Sequence, residues 1–148
     1  MIDLIEITKP ASFSYDSATG KTTCIIKYKN TEFVGEAQCH PDDNDMQSER
    51  VGCYIAEMRA AIKYLQHIKN NELRPKLEVL QHLESVYTVS PHCDNESYEL
   101  IILRRQIRFV LRELATAQNE IAMVKQNLKE YIDLKDKLYQ KIRKDKNH

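Results

Sequence analysis

Four arginines, Arg104, Arg105, Arg108 and Arg112, crowd one short segment of the chain. If that segment is helical, steps of four place Arg104, Arg108 and Arg112 in a row that winds slowly around it. Guanidinium forks in such a row match phosphate oxygens with charge-assisted hydrogen bonds. The plainer reading is a solvated face neutralised by Glu99 and Glu113, and spacing by itself favours it. Tyr87 and Tyr98 bracket the stretch that leads into the cluster. A base would stack on either ring while arginines hold its phosphates, although packing at a helix end explains both tyrosines without a ligand. Arg59 sits among small residues, Ala56, Ala60 and Ala61. Those neighbours admit a ligand or a second chain at close range; a buried pair with a carboxylate is an equal reading.

Catalytic motifs are missing. The sequence has no G-x-S-x-G, H-E-x-x-H, P-loop or G-x-G-x-x-G. Cys39 and His40 are adjacent on an expected strand end, where side chains alternate, so they do not form a nucleophile–base pair. Asp42, Asp43 and Asp45 lack the glycine and distal glutamate of a calcium loop and read as a solvated turn. The cysteines Cys24, Cys39, Cys53 and Cys93 form no C-x-x-C. Cys39-His40 and His92-Cys93 evoke zinc without the tight ligand spacing of a structural site, so reduced thiols are expected. No metal, no cofactor and no catalytic activity are expected.

These side chains need elements to position them. Phe13–Tyr15, Thr22–Tyr28 and Thr31–Cys39 read as strands, with turns at Asp16–Gly20 and Lys29–Asn30; Leu4–Ile7 is a further short candidate. Ser48 is a candidate cap for a helix whose apolar residues, Val51, Ile55, Met58, Ile62 and Leu65, step by 4 and 3. This helix is expected to stop near Lys69–Asn71, and Pro75 suits the first turn of a second one, with Leu77, Leu80, Leu83 or Glu84, and Tyr87 on its apolar face. From Leu100 the same alternating steps land on Leu103, Ile107, Val110, Leu114, Ala117, Ile121, Val124, Leu128, Tyr131, Lys135, Leu138 and Ile142. A 3.5-residue period held this long marks a coiled-coil-like helix on the order of 65 Å long. Nothing in the preceding sequence is expected to cover its far half, so a second copy of the chain is the expected partner.

The expected fold is therefore α+β: a small N-terminal antiparallel sheet, then helices, the last long and oligomerising. The chain reads as a single domain over 1–148, with a β-meander at 1–39, two helices at 47–88 and the long helix at 95–144. Lys+Arg and Asp+Glu are 22 each, giving zero formal net charge, so general duplex DNA or RNA binding is not expected. The start, Met1-Ile-Asp-Leu-Ile-Glu, lacks an export signal's basic and apolar stretches. No segment is apolar for the roughly 20 residues that span a bilayer.

Val34-Gly-Glu-Ala-Gln-Cys-His-Pro-Asp-Asp43, then Gly52-Cys-Tyr-Ile-Ala-Glu-Met-Arg-Ala60, Glu72-Leu-Arg-Pro-Lys-Leu77, the arginine-studded Arg104–Arg112 and Leu128-Lys-Glu-Tyr-Ile132 occur in that order. Together they resemble the first family of Thoeris anti-defence proteins of phages, over most of the chain from about residue 22. The resemblance implies a sponge in the host cell cytoplasm. Such a protein captures a cyclic ADP-ribose isomer, glycocyclic ADP-ribose, without cleaving it and so keeps the defence effector off. It also implies a homodimer, with some members assembling into hexamers and some taking up cyclic trinucleotides at separate sites. Carried over by position, it implies that Arg59 grips phosphate, Tyr87 stacks on the base and Asn95 contacts a ribose or base edge. Arg108 and Arg112, with Arg104 beside them, fit the arginine pair on the long helix, and Lys27 is a weaker basic candidate from the sheet. The alternatives are a coiled-coil adaptor for a host protein and a phosphodiesterase that degrades the signal.

Overall fold

The computed structural model describes residues 11–38, 49–89 and 98–146. The expected strand at Leu4–Ile7, the Cys39–Asp45 segment, the Ser48 cap, His92, Cys93 and Asn95 lie outside the described residues. The chain is α+β, with β1 (Ser12–Asp16), β2 (Lys21–Tyr28) and β3 (Thr31–Gln38) followed by helices α1 (Glu49–His67), α2 (Arg74–Val89) and α3 (Tyr98–Lys146). It falls into two compact units. One holds the sheet, α1 through Tyr64 and α3 from Ile121 onward; the other holds Leu65–Glu120.

In the sheet unit the strands form an antiparallel meander in the order β1-β2-β3. Gly20 adopts a left-handed φ of 73° and donates to the Asp16 carbonyl at 2.8 Å, while Ala18 donates to the Asp16 carboxylate at 3.0 Å. This closes the turn and sets Asp16 opposite Lys21. The second turn is less comfortable: Lys29 takes φ 53°, a conformation that costs a side-chain-bearing residue roughly 1–2 kcal/mol.

The cross-strand pairs Thr22–Ala37, Cys24–Gly35 and Ile26–Phe33 are buried on one face, as the two-residue period requires. Helix α1 lies on that face through a row of small residues at spacing four, Gly52, Ala56 and Ala60. A Cβ added to Gly35 would stand 2.0 Å from the Ala56 carbonyl oxygen and 2.4 Å from the Ala60 nitrogen. One added to Gly52 would stand 2.4 Å from Thr22 Oγ1. The small residues around Arg59 therefore do admit a close neighbour, and it is strand β3. Tyr64 closes one end of this core, meeting Tyr28 and Phe33 edge-on at 5.2 and 5.7 Å.

In the helical unit the expected break at Lys69–Asn71 does not occur. Helix α1 runs into a π-helical turn, Ile68–Leu73, which leads directly into α2. The apolar spacing explains this. Leu65, Ile68, Leu73, Leu77 and Leu80 step by 3, 5, 4 and 3, so one residue too many separates Ile68 from Leu73. A π turn absorbs that residue and keeps Ile68 and Leu73 both buried. Pro75 follows directly in this unbroken helix and leaves its hydrogen-bond ladder one N–H short, just beyond the π turn.

Helix α3 is continuous from Tyr98 to Lys146. Leu100, Leu103, Ile107, Val110, Ala117 and Ile121 of its seam are buried, and Leu114, Val124, Leu128 and Tyr131 are half-buried. The expectation that no part of this chain covers the far half is corrected. That half belongs to the sheet unit, Tyr131 packs on Tyr54 with ring centroids 4.4 Å apart, and Tyr139 is buried. The described residues before α3 do not form one unit: those up to Tyr64 group with the far half of α3, and those from Leu65 with its near half. Leu138 stays exposed.

Candidate functional site

Arg59 and Lys63 stand one turn apart on α1. From the Tyr28–Thr31 pair at the turn, alternate pairs exchange hydrogen bonds, so Val34 and Glu36 turn their carbonyls to the free edge of β3. Arg59 Nη1 donates to the Glu36 carbonyl at 2.7 Å and Lys63 Nζ to that of Val34 at 2.6 Å. Arg59 is thus engaged in covering a sheet edge, a task that sequence spacing does not reveal. Lys27 pairs at 3.8 Å with Glu32, its cross-strand neighbour. Both candidates belong to the sheet unit.

Tyr87, Arg104, Arg108 and Arg112 belong to the helical unit. Arg104 is committed, its Nε 3.4 Å from the Glu84 carboxylate. Arg108 and Arg112 are exposed, with no ion-pair partner among the described residues. Tyr87 is 37% exposed and Tyr98 74%.

A concavity in this unit uses neighbours of the expected residues. A cleft of about 450 Å³ is lined by Lys76 and Leu80 of α2 and by Arg105, Gln106, Phe109 and Val110 of α3. Val110 and Leu80 are buried and form an apolar floor, while Phe109 is 53% exposed. Lys76 and Arg105 are exposed, and neither has an ion-pair partner among the described residues. Among the described residues no carboxylate lines the cleft. Arg105, Phe109 and Arg112 fall at i, i+4 and i+7, one face of α3, so the expected Arg112 extends the same surface.

No family model, characterised protein or solved structure matches this chain. The site is therefore read from its own chemistry. Two unneutralised cations beside an exposed aromatic ring over an apolar floor suit an anion that carries a flat organic body. Phosphates take forked or point-charge hydrogen bonds from Arg105 and Lys76, and a base stacks on Phe109. The signal for Lys76, Arg105 and Phe109 was present in the sequence. Arg105 stood in the arginine cluster, but its facing residue on α2 follows from the one-residue shift of the π turn, which the expectation of a break concealed.

Among the described residues no group of three His, Cys, Asp or Glu is placed to hold a metal ion. Cys24 is buried and Cys53 half-buried. Burial first, then the nearby Glu57 and Cys53, push the Cys24 thiol up to about 11, where a nucleophilic thiolate is scarce near neutral pH.

Proposed function

We propose that this protein binds and holds, without cleaving it, a cyclic ADP-ribose-type signal such as glycocyclic ADP-ribose, and so blocks a Thoeris effector in the host cell. The observation that carries this reading is the cleft in which Lys76 and Arg105, both without a carboxylate partner among the described residues, flank Phe109. Two charge-assisted contacts and one stacked base give about 4–9 kcal/mol gross, a range that runs from millimolar to micromolar binding before ordering costs. The stacking role that the resemblance implies for Tyr87 passes to Phe109 in this reading. The phosphate contacts pass to Lys76 and Arg105, with Arg108 and Arg112 alongside.

Self-association is part of the proposal and rests on α2. Val79, Leu83 and Val86 form an exposed apolar stripe at steps of 4 and 3. A two-fold axis requires residue i to meet j and j to meet i. Two antiparallel α2 helices satisfy this by placing Val79 on Val86 of the other copy and Leu83 on Leu83. A coiled-coil adaptor would use the same stripe for a different protein, and a phosphodiesterase would return altered nucleotide.

Isothermal titration with glycocyclic ADP-ribose tests the binding. The wild-type chain should bind saturably, in the micromolar range at the tightest, and the double variant Lys76→Ala/Arg105→Ala at least about 100-fold more weakly. Equal affinity for both proteins rules out this cleft, and no binding to either rules out the ligand.

A further inference from the structure

The π turn does more than preserve the apolar face. In its hydrogen-bonding pattern the Arg74 N–H donates to the Lys69 carbonyl, five residues back. Residues 69 and 74 therefore stand one above the other, as i and i+4 do in an α-helix. In an uninterrupted α-helix a five-residue step would turn them about 140° apart. Their side chains line a second concavity of about 260 Å³ together with Leu114, Ala115 and Gln118 of α3.

This concavity shares no residue with the Phe109 cleft. Phe109 and Gln118 are nine residues apart, about two and a half turns, and so point to opposite sides of α3. Lys69 Nζ donates to Gln118 Oε1, which fixes the ammonium over the cavity and leaves it further donors. Arg74 is exposed, with no ion-pair partner among the described residues. Ala115 leaves room where a longer side chain would fill the space, and among the described residues no carboxylate lines the cavity. Leu114 and Ala115 give it a short apolar wall, and among the described residues no aromatic ring lines it to stack on a base. What it offers is two stacked cations and an amide at short range.

We propose that the Lys69–Arg74 pair is a binding site for a small tetrahedral oxyanion, the phosphate monoester group, and that the π turn exists in part to bring these two cations together. Arg74 supplies a forked pair of N–H donors, Lys69 a point charge, and the Gln118 amide nitrogen a neutral donor. The site is separate from the proposed nucleotide cleft and stands if that proposal falls.

The test uses the full chain and inorganic phosphate as probe, with ionic strength held constant by chloride. Binding is followed by amide chemical shifts and by titration calorimetry. Saturable binding is expected, with shifts centred on residues 69–74 and 114–118, and Arg74→Gln and Lys69→Gln should each weaken it about tenfold. Both residues are on the surface, so retained circular dichroism and melting temperature are expected and separate lost binding from lost folding. Deleting Asn70, which returns the turn to an α-helical count, should abolish binding. Phosphate methyl ester and free phosphate are compared in parallel; equal affinity points to the phosphate group itself, and preference for the ester points to a bound monoester. Unchanged phosphate affinity in Arg74→Gln overturns the proposal. So does loss of phosphate binding in Lys76→Ala/Arg105→Ala with Arg74 intact, because the anion would then sit in the other cleft. A response no greater than that to chloride also overturns it.

Discussion

Individual side chains decide what the site can do. Phe109 is more than half exposed on a helix otherwise rich in charge, and its removal should weaken nucleotide binding about tenfold without changing stability, as a base-stacking residue requires. Arg59 is expected to behave oppositely. Its hydrogen bond to the Glu36 carbonyl predicts that Arg59→Ala costs about 1 kcal/mol of stability in urea denaturation and leaves nucleotide affinity unchanged. The left-handed φ of Lys29 predicts that Lys29→Gly raises stability by about 0.5 kcal/mol, after losing the contact of its ammonium with the Tyr28 ring 5.2 Å away. Cys24 titrates near 11, above the ordinary value of 9.0. A thiol raised in the folded state contributes stability that is complete below pH 9 and lost as pH climbs toward 11. Mass mapping after alkylation at pH 8 should leave Cys24 unmodified while Cys53 is labelled. Burial also raises Glu120 above the ordinary carboxylate range, and one of its buried oxygens has no hydrogen-bond partner. Its neutral form suits the fold, so Glu120→Gln should raise the melting temperature at pH 7 by about 1–3 °C, with the gain shrinking as pH falls and the native carboxyl takes up its proton.

At the scale of elements, much was legible because backbone period and turn chemistry act locally. Strand β1 follows from Phe13 and Tyr15, β2 and β3 from their β-branched and aromatic residues, and all three from the Asp16–Gly20 and Lys29–Asn30 turns. The α3 seam follows from its 3.5-residue period, and nearly every residue on it is buried or half-buried. The π turn was less legible. Asn70 and Asn71 look like a helix stop, and only the five-residue gap between the buried Ile68 and Leu73 shows that an extra residue is being absorbed. The candidate site inherits that difficulty. The arginine cluster was visible, but which arginine faces a cleft depends on tertiary pairing: Arg104 meets Glu84, whereas Arg105 lines a cleft with Lys76. The α1–sheet contact supplies the sharpest test of the architecture. Gly35→Ala forces a methyl group onto helix backbone 2.0 Å away and should cost about 3 kcal/mol or more, read from a shift in denaturation midpoint.

For the whole molecule, the two proposals that matter are self-association and capture. Because α3 packs much of its seam within the chain, the exposed stripe on α2 now carries the case for a dimer. Sedimentation equilibrium at micromolar concentration should show a dimer for the wild-type chain and a monomer for Leu83→Glu, with helical content retained. A monomeric wild-type chain would remove the two-fold arrangement, while an unchanged dimer in Leu83→Glu would move the interface elsewhere. Capture is tested most directly by incubating the purified protein with glycocyclic ADP-ribose, washing, denaturing it and weighing the released small molecule by mass spectrometry. Recovery of the unmodified nucleotide near one equivalent per cleft is the expected result. Release of a hydrolysed product, or of nothing, would contradict sequestration.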